Sequence, residues 1–167
     1  DPSVWTEAKD CTAPSEVAYQ YGSGAIGTED CLTLDVYSSS DAKKRPVLVY
    51  LHGSAATGSS LELPGCELVR DAGCVFVALN YRLGLFGWNC LPALTADPDA
   101  TGNFALLDIA RALDWVRDNI ASFGGDPQNI TVLGFAAGGR DGMALLASPL
   151  FVGRFQNCLL YTSPSPR

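Results

Sequence analysis

Ile130-Thr131-Val132-Leu133-Gly134-Phe135-Ala136-Ala137-Gly138-Gly139 decides how this chain is read. An apolar run that fits a buried strand leads straight into a glycine-flanked turn, and a helical stretch, Gly138 to Ala147, follows. This is the layout of the G-x-S-x-G turn, which lifts a serine oxygen above the end of a sheet. Gly134 and Gly138 stand two residues either side of the apex, where a Cβ would crowd the turn. The apex is Ala136, whose methyl group cannot attack a carbonyl.

Outward from that turn the sequence alternates strands and helices. Upstream, Phe104 to Phe123 is the longest helical signal. Leu106, Ala110, Leu113, Val116 and Ile120 form an apolar stripe, and Asp108, Arg111, Asp114 and Arg117 a polar face. Gly124-Gly125-Asp126-Pro127 is expected to stop it. Pro46–Leu51 and Cys74–Leu79 are apolar at every position, which suits strands buried on both faces. Leu32–Tyr37 alternates, as a strand with one solvated face does. Between them, Leu61–Ala72 has room for a loop and a short helix. The expected fold class is α/β, a mostly parallel sheet with helices on both faces. One domain over residues 1–161 precedes a low-complexity tail, Thr162-Ser163-Pro164-Ser165-Pro166-Arg167.

Composition narrows the function classes. With 167 residues, 47% of them hydrophobic, the chain can bury a sizeable core. The net charge of -7 comes without any basic stripe, which argues against nucleic-acid partners. No apolar run is long enough to span a bilayer. Asp1-Pro2-Ser3-Val4-Trp5 has the character of neither part of a signal peptide. Six cysteines without a C-x-x-C, and a single histidine, give no metal motif, and no cofactor is expected.

Several further motifs stand in a fixed order. Thr28-Glu29-Asp30-Cys31-Leu32-Thr33-Leu34-Asp35-Val36-Tyr37 comes first, then His52-Gly53, then Asn80-Tyr81-Arg82-Leu83-Gly84-Leu85-Phe86-Gly87-Trp88. Gly102-Asn103-Phe104-Ala105-Leu106-Leu107-Asp108 opens the long helix, and Phe123-Gly124-Gly125-Asp126-Pro127-Gln128-Asn129 leads to the elbow. From about Cys11 to Phe155 the chain resembles the type-B carboxylesterase/cholinesterase family of α/β-hydrolases. The resemblance implies cleavage of small-molecule carboxylic esters through an acyl-serine. A histidine would take the serine's proton, an acid would orient the histidine, and backbone N–H groups would hold the oxyanion.

Carried onto this chain, the nucleophile position is Ala136, and Phe135 stands where the family's G-E-S-A-G-G has glutamate. Oxyanion donors map to Gly53, Ser54 and Ala137. The loop His52-Gly53-Ser54-Ala55-Ala56-Thr57-Gly58 is one residue shorter than the usual H-G-G-G-like loop, with Ser54 and Ala55 in place of glycines. The acid and histidine follow the nucleophile in this family, and the chain stops soon after the elbow. The expectation is therefore an internal piece of a larger domain, truncated at both ends and inactive as given. The alternative is a non-catalytic, cholinesterase-like binding or adhesion domain with a protein partner. The resemblance also supports a disulfide between Cys11 and Cys31, which bracket a polar stretch, and with it the secretory pathway. The other reading leaves all six thiols free.

Some residues invite other roles. His52 is expected to be structural rather than a general base. Ser54, Ser59 and Ser60 are poor substitutes for the lost nucleophile, having no base of their own. Asp97-Pro98-Asp99-Ala100-Thr101-Gly102-Asn103 with Asp108 imitates a calcium loop, but Pro98 and the missing entering helix count against it. Arg82, Glu29 and Asp126 are expected to tie loops together through ion pairs. Trp88 suits either a gorge lining or the core.

Overall fold

The structure is a computed structural model, which describes Glu7, residues 10–91 and residues 101–161. A small antiparallel ribbon, β1 (Gln20–Tyr21) and β2 (Ala25–Ile26), leads in. The central sheet holds β3 (Leu34–Tyr37), β4 (Arg45–Leu51), β5 (Val75–Leu79), β6 (Gly125–Phe135) and β7 (Asn157–Tyr161), in the order β3-β5-β4-β6-β7. All neighbours are parallel except β3, which runs antiparallel to β5 at one edge. The helices are α1 (Cys66–Ala72), α2 (Gly84–Gly87), α3 (Phe104–Asn119) and α4 (Ala137–Ala147).

The side-chain period of two along the strands divides the core. Val47, Val49 and Leu51 of β4, with Val75, Val77 and Leu79 of β5, face Ile109, Leu113 and Val116 of α3 and Leu145 of α4. The alternate residues Tyr50, Phe76 and Ala78 face Leu68 and Val69 of α1. Helices thus cover both faces, as the two continuously apolar runs require. The long helix ends as its glycines predict: a 3-10 turn, Ile120–Phe123, closes on Gly124 at φ +80. The next strand begins at once, at Gly125 rather than Ile130, because Arg45 pairs opposite Gly125 across a register shift.

Two expectations need correction. Asp108 is not on a solvated face of α3. It is buried, because Arg82 reaches it with Nη2 at 2.7 Å and Nε at 2.8 Å, and the buried stripe takes in Ala105 and Ile109 instead. β3 does not alternate cleanly: all four of its residues are half-buried, since both faces of this edge are partly covered. The Cys11–Cys31 bridge is not formed in this structure. Cys11 is exposed, while Cys31 lies in the core, where burial pushes its thiol up and away from the reactive thiolate. The Ser/Pro tail and Asp97–Ala100 of the calcium-like loop lie outside the described residues.

Among the described residues β7 is an edge strand, and it carries no charge, proline or bulge to discourage pairing. Leu159 and Tyr161 are 60% and 63% exposed beside Phe135. This chain is therefore expected to self-associate as its concentration rises. Leu159→Lys should reduce the association seen by light scattering while leaving the unfolding midpoint unchanged.

Candidate active site

The elbow is built by close packing of backbone. Helix α4 starts directly from β6 and sets its first turn against the end of β4. The Gly138 N–H donates to the His52 carbonyl at 3.1 Å, and the Ala137 N–H to the Gly53 carbonyl at 3.2 Å. A Cβ on Gly138 would collide with the carbonyls of Leu51 and His52, and one on Gly134 with Gly138. Held between these glycines, Ala136 takes φ 48 and ψ -107, outside the regions ordinary for an L-residue. Its N–H donates to the Tyr161 carbonyl at 2.7 Å, which anchors the turn to β7.

The oxyanion positions are close by but differently engaged. The Gly53 N–H donates to Oε2 of Glu62 at 3.0 Å, so a carboxylate already holds it. The Ala137 N–H is spent on Gly53. Ser54 turns its side chain inward on the loop, where its Oγ accepts from the N–H groups of Ala56 and Thr57 at 3.3 and 3.1 Å. Phe135 lies across Gly53: its Cδ1 is 2.7 Å from where a Gly53 Cβ would stand. The Phe135 ring also stacks on Tyr161, with centroids 5.4 Å apart and planes within 2°. The loop is thus shaped by Glu62 from one side and capped by an aromatic ring from another.

The remaining candidates resolve into structural roles. His52 is 1% exposed and stacks on Tyr81 at 4.4 Å, with its Nδ1 unpartnered; burial lowers its pKa and favours the neutral ring. Ser59 caps the 3-10 turn Ser60–Glu62 by accepting from the Leu61 N–H, and Ser60 is buried with its Oγ bonded to Asn80. Arg82 pairs with Asp108 and lies over the Phe104 ring at 5.2 Å. Glu29 makes no ion pair among the described residues, and Asp126 accepts from the Gln128 N–H instead. Trp88 packs against the core. Two shallow cavities, of about 380 and 480 Å³, lie near Ser38 and Gly124 and near Tyr37 and Cys66, at the opposite end of the sheet. They have no part in the elbow.

Sequence reading missed two residues here. Glu62 gave no signal, because its contact with Gly53 depends on how the loop folds back. Asp141 did give one: with Ala137 and Leu145 it marks the buried face of α4, an acid at a core position. It is 8% exposed, and burial pushes its carboxyl up to about 6, with Arg140 and the Tyr81 hydroxyl offsetting only part of that.

A mostly parallel sheet with helices on both faces, and a strained strand–turn–helix apex at the carboxyl end of β6, beside the central strand β4, define an α/β-hydrolase. Comparison with known proteins agrees. The carboxylesterase family model matches residues 1–165, and the chain belongs to that family. It is 39% identical to the para-nitrobenzyl esterase of Bacillus subtilis (strain 168), over 98% of this chain and 36% of that protein. Mouse (Mus musculus) carboxylesterase 3B is 42% identical over 79% of this chain and 23% of its own. A solved para-nitrobenzyl (PNB) esterase superposes with a TM-score of 0.88 at 38% identity, covering 99% of this chain and 36% of that one. The chain therefore spans about a quarter to about a third of the length of such relatives.

The apex strain yields a test. A left-handed φ on a non-glycine residue costs on the order of 1–3 kcal/mol, while the extra freedom of glycine in the unfolded chain costs about 0.5–1 kcal/mol. Ala136→Gly is expected to stabilise the fold by roughly 1 kcal/mol in denaturant unfolding. A loss of stability would show that the apex is not strained.

Proposed function

We propose that this chain carries the carboxylesterase scaffold around the elbow in a form that cannot make an acyl-enzyme. The observation that carries the reading is Ala136 itself, which holds the nucleophile's strained backbone with no oxygen on its side chain. The chain's single histidine supports it, since His52 is buried in a ring stack and cannot serve as a base for position 136. The engaged N–H groups of Gly53 and Ala137 also support it, because an oxyanion would have to displace their present acceptors. Small neutral carboxylic esters remain the ligand class, on the strength of the family. For a protein containing an active copy of this scaffold, the chemistry would be ester hydrolysis through an acyl-serine.

A second reading, a non-catalytic binding domain, draws on the placement of Phe135. Its ring covers Gly53 and forms an exposed aromatic surface with Tyr161, where an enzyme needs its oxyanion loop open. A secretory setting has the resemblance behind it, while Cys11 and Cys31 stand as free thiols.

The test is Ala136→Ser in this chain, assayed with 4-nitrophenyl acetate. The expected outcome is no release of 4-nitrophenol above the uncatalysed rate, because the serine would have neither base nor orienting acid. Clear turnover would overturn the claim that those groups are needed and missing.

A further inference from the structure

Tyr81 has one hydroxyl proton and two acceptors to serve. Its Oη lies 3.4 Å from the His52 carbonyl oxygen and 3.5 Å from Oδ2 of Asp141. Both contacts are long for an O–H···O bond, and one hydrogen cannot satisfy both. Asp141 makes no ion pair among the described residues, and the Tyr81 hydroxyl is its side chain's one hydrogen-bond partner there. An ionised carboxylate would thus be largely buried with no ion-pair partner in contact. A neutral carboxylic acid changes the arrangement: its O–H donates to Tyr81 Oη, and the Tyr81 proton is free for the His52 carbonyl.

We propose that Asp141 is held as a neutral acid on the acidic side of neutrality, and that Asp141, Tyr81 and the His52 carbonyl form a positioning relay that locks the elbow until Asp141 ionises. The relay reaches the elbow through that carbonyl, which also accepts the Gly138 N–H at 3.1 Å, two residues beyond Ala136. Ionisation would draw the Tyr81 proton to the carboxylate and leave the carbonyl to Gly138 alone. The inference goes beyond the functional reading above and does not depend on it.

The groups around Asp141 on each packed element are few. Arg140 adjoins it on α4 and favours ionisation, but less than burial opposes it. Beyond the end of β5, Tyr81 is pushed far up by burial and stays protonated. His52, on the segment following β4, is pushed down by burial, so its linkage to folding has the opposite sign. Glu62 reaches the cluster by way of Tyr81. On β7, Cys158 lies beside Gly142 and its thiol is pushed up. Tyr161 is stacked on Phe135. The Asp141 carboxyl is raised from 3.8 to about 6, so its contribution to stability is complete below the ordinary carboxylate range. That contribution is lost as pH rises through about 6.

The experiment compares the wild-type chain with Asp141→Asn and Tyr81→Phe. Asparagine offers Tyr81 an N–H donor at every pH. Between about pH 5 and about pH 7.5 the unfolding constant of the wild type should rise roughly tenfold relative to that of Asp141→Asn. By NMR, the wild-type Gly138 amide shift should follow the Asp141 carboxyl titration. In both variants it should stay flat across that range, which a merely structural Asp141 would not require. The same pH dependence in wild type and Asp141→Asn, or a carboxyl titrating in the ordinary range, would overturn the neutral acid. A wild-type Gly138 amide that does not move with Asp141 would overturn the lock.

Discussion

The whole site depends on one close approach, that of the first turn of α4 to the end of β4. The Gly138 N–H meets the His52 carbonyl at 3.1 Å, a distance possible only because position 138 has no Cβ. The helix is thereby drawn against the strand end, and the chain must turn from β6 into α4 within one residue. That residue is Ala136, and its φ of 48 is the consequence. Elbow, oxyanion loop and the Tyr161 anchor all meet at this point.

The strained geometry therefore does not rest on the side chain at the apex. The contacts that force the turn are made by the backbone and permitted by the glycines. Glycine spacing, the parallel register of β4 with β6, and the Ala136–Tyr161 backbone bond maintain the strained conformation on their own. Two groups close in on the apex: Phe135 covers Gly53, and Glu62 takes the Gly53 N–H.

Much of the architecture could be read along the chain because it is local or periodic. β4 and β5 were visible as unbroken apolar runs, α3 by its three- and four-residue repeat, and its end by Gly124. The misjudgements were residues whose setting is fixed by distant partners. Asp108 falls on the polar face of α3 by periodicity, and Arg82, 26 positions earlier, accounts for its burial. Asp141 was passed over, although an acid on the buried stripe of α4 was there to be noticed.

Sequence by itself determined that a strand, a strained glycine-flanked turn and a helix occur at 130–147, and that the turn holds no nucleophile. Local steric rules suffice for that, since a Cβ at 134 would collide with Gly138 four residues on, and a methyl group carries no lone pair. Only the tertiary structure decided which backbone donors stay free and which buried acid meets which hydroxyl. Those outcomes depend on loops folding back across the sheet, and hydrogen bonds a few ångströms long join residues that the sequence keeps far apart.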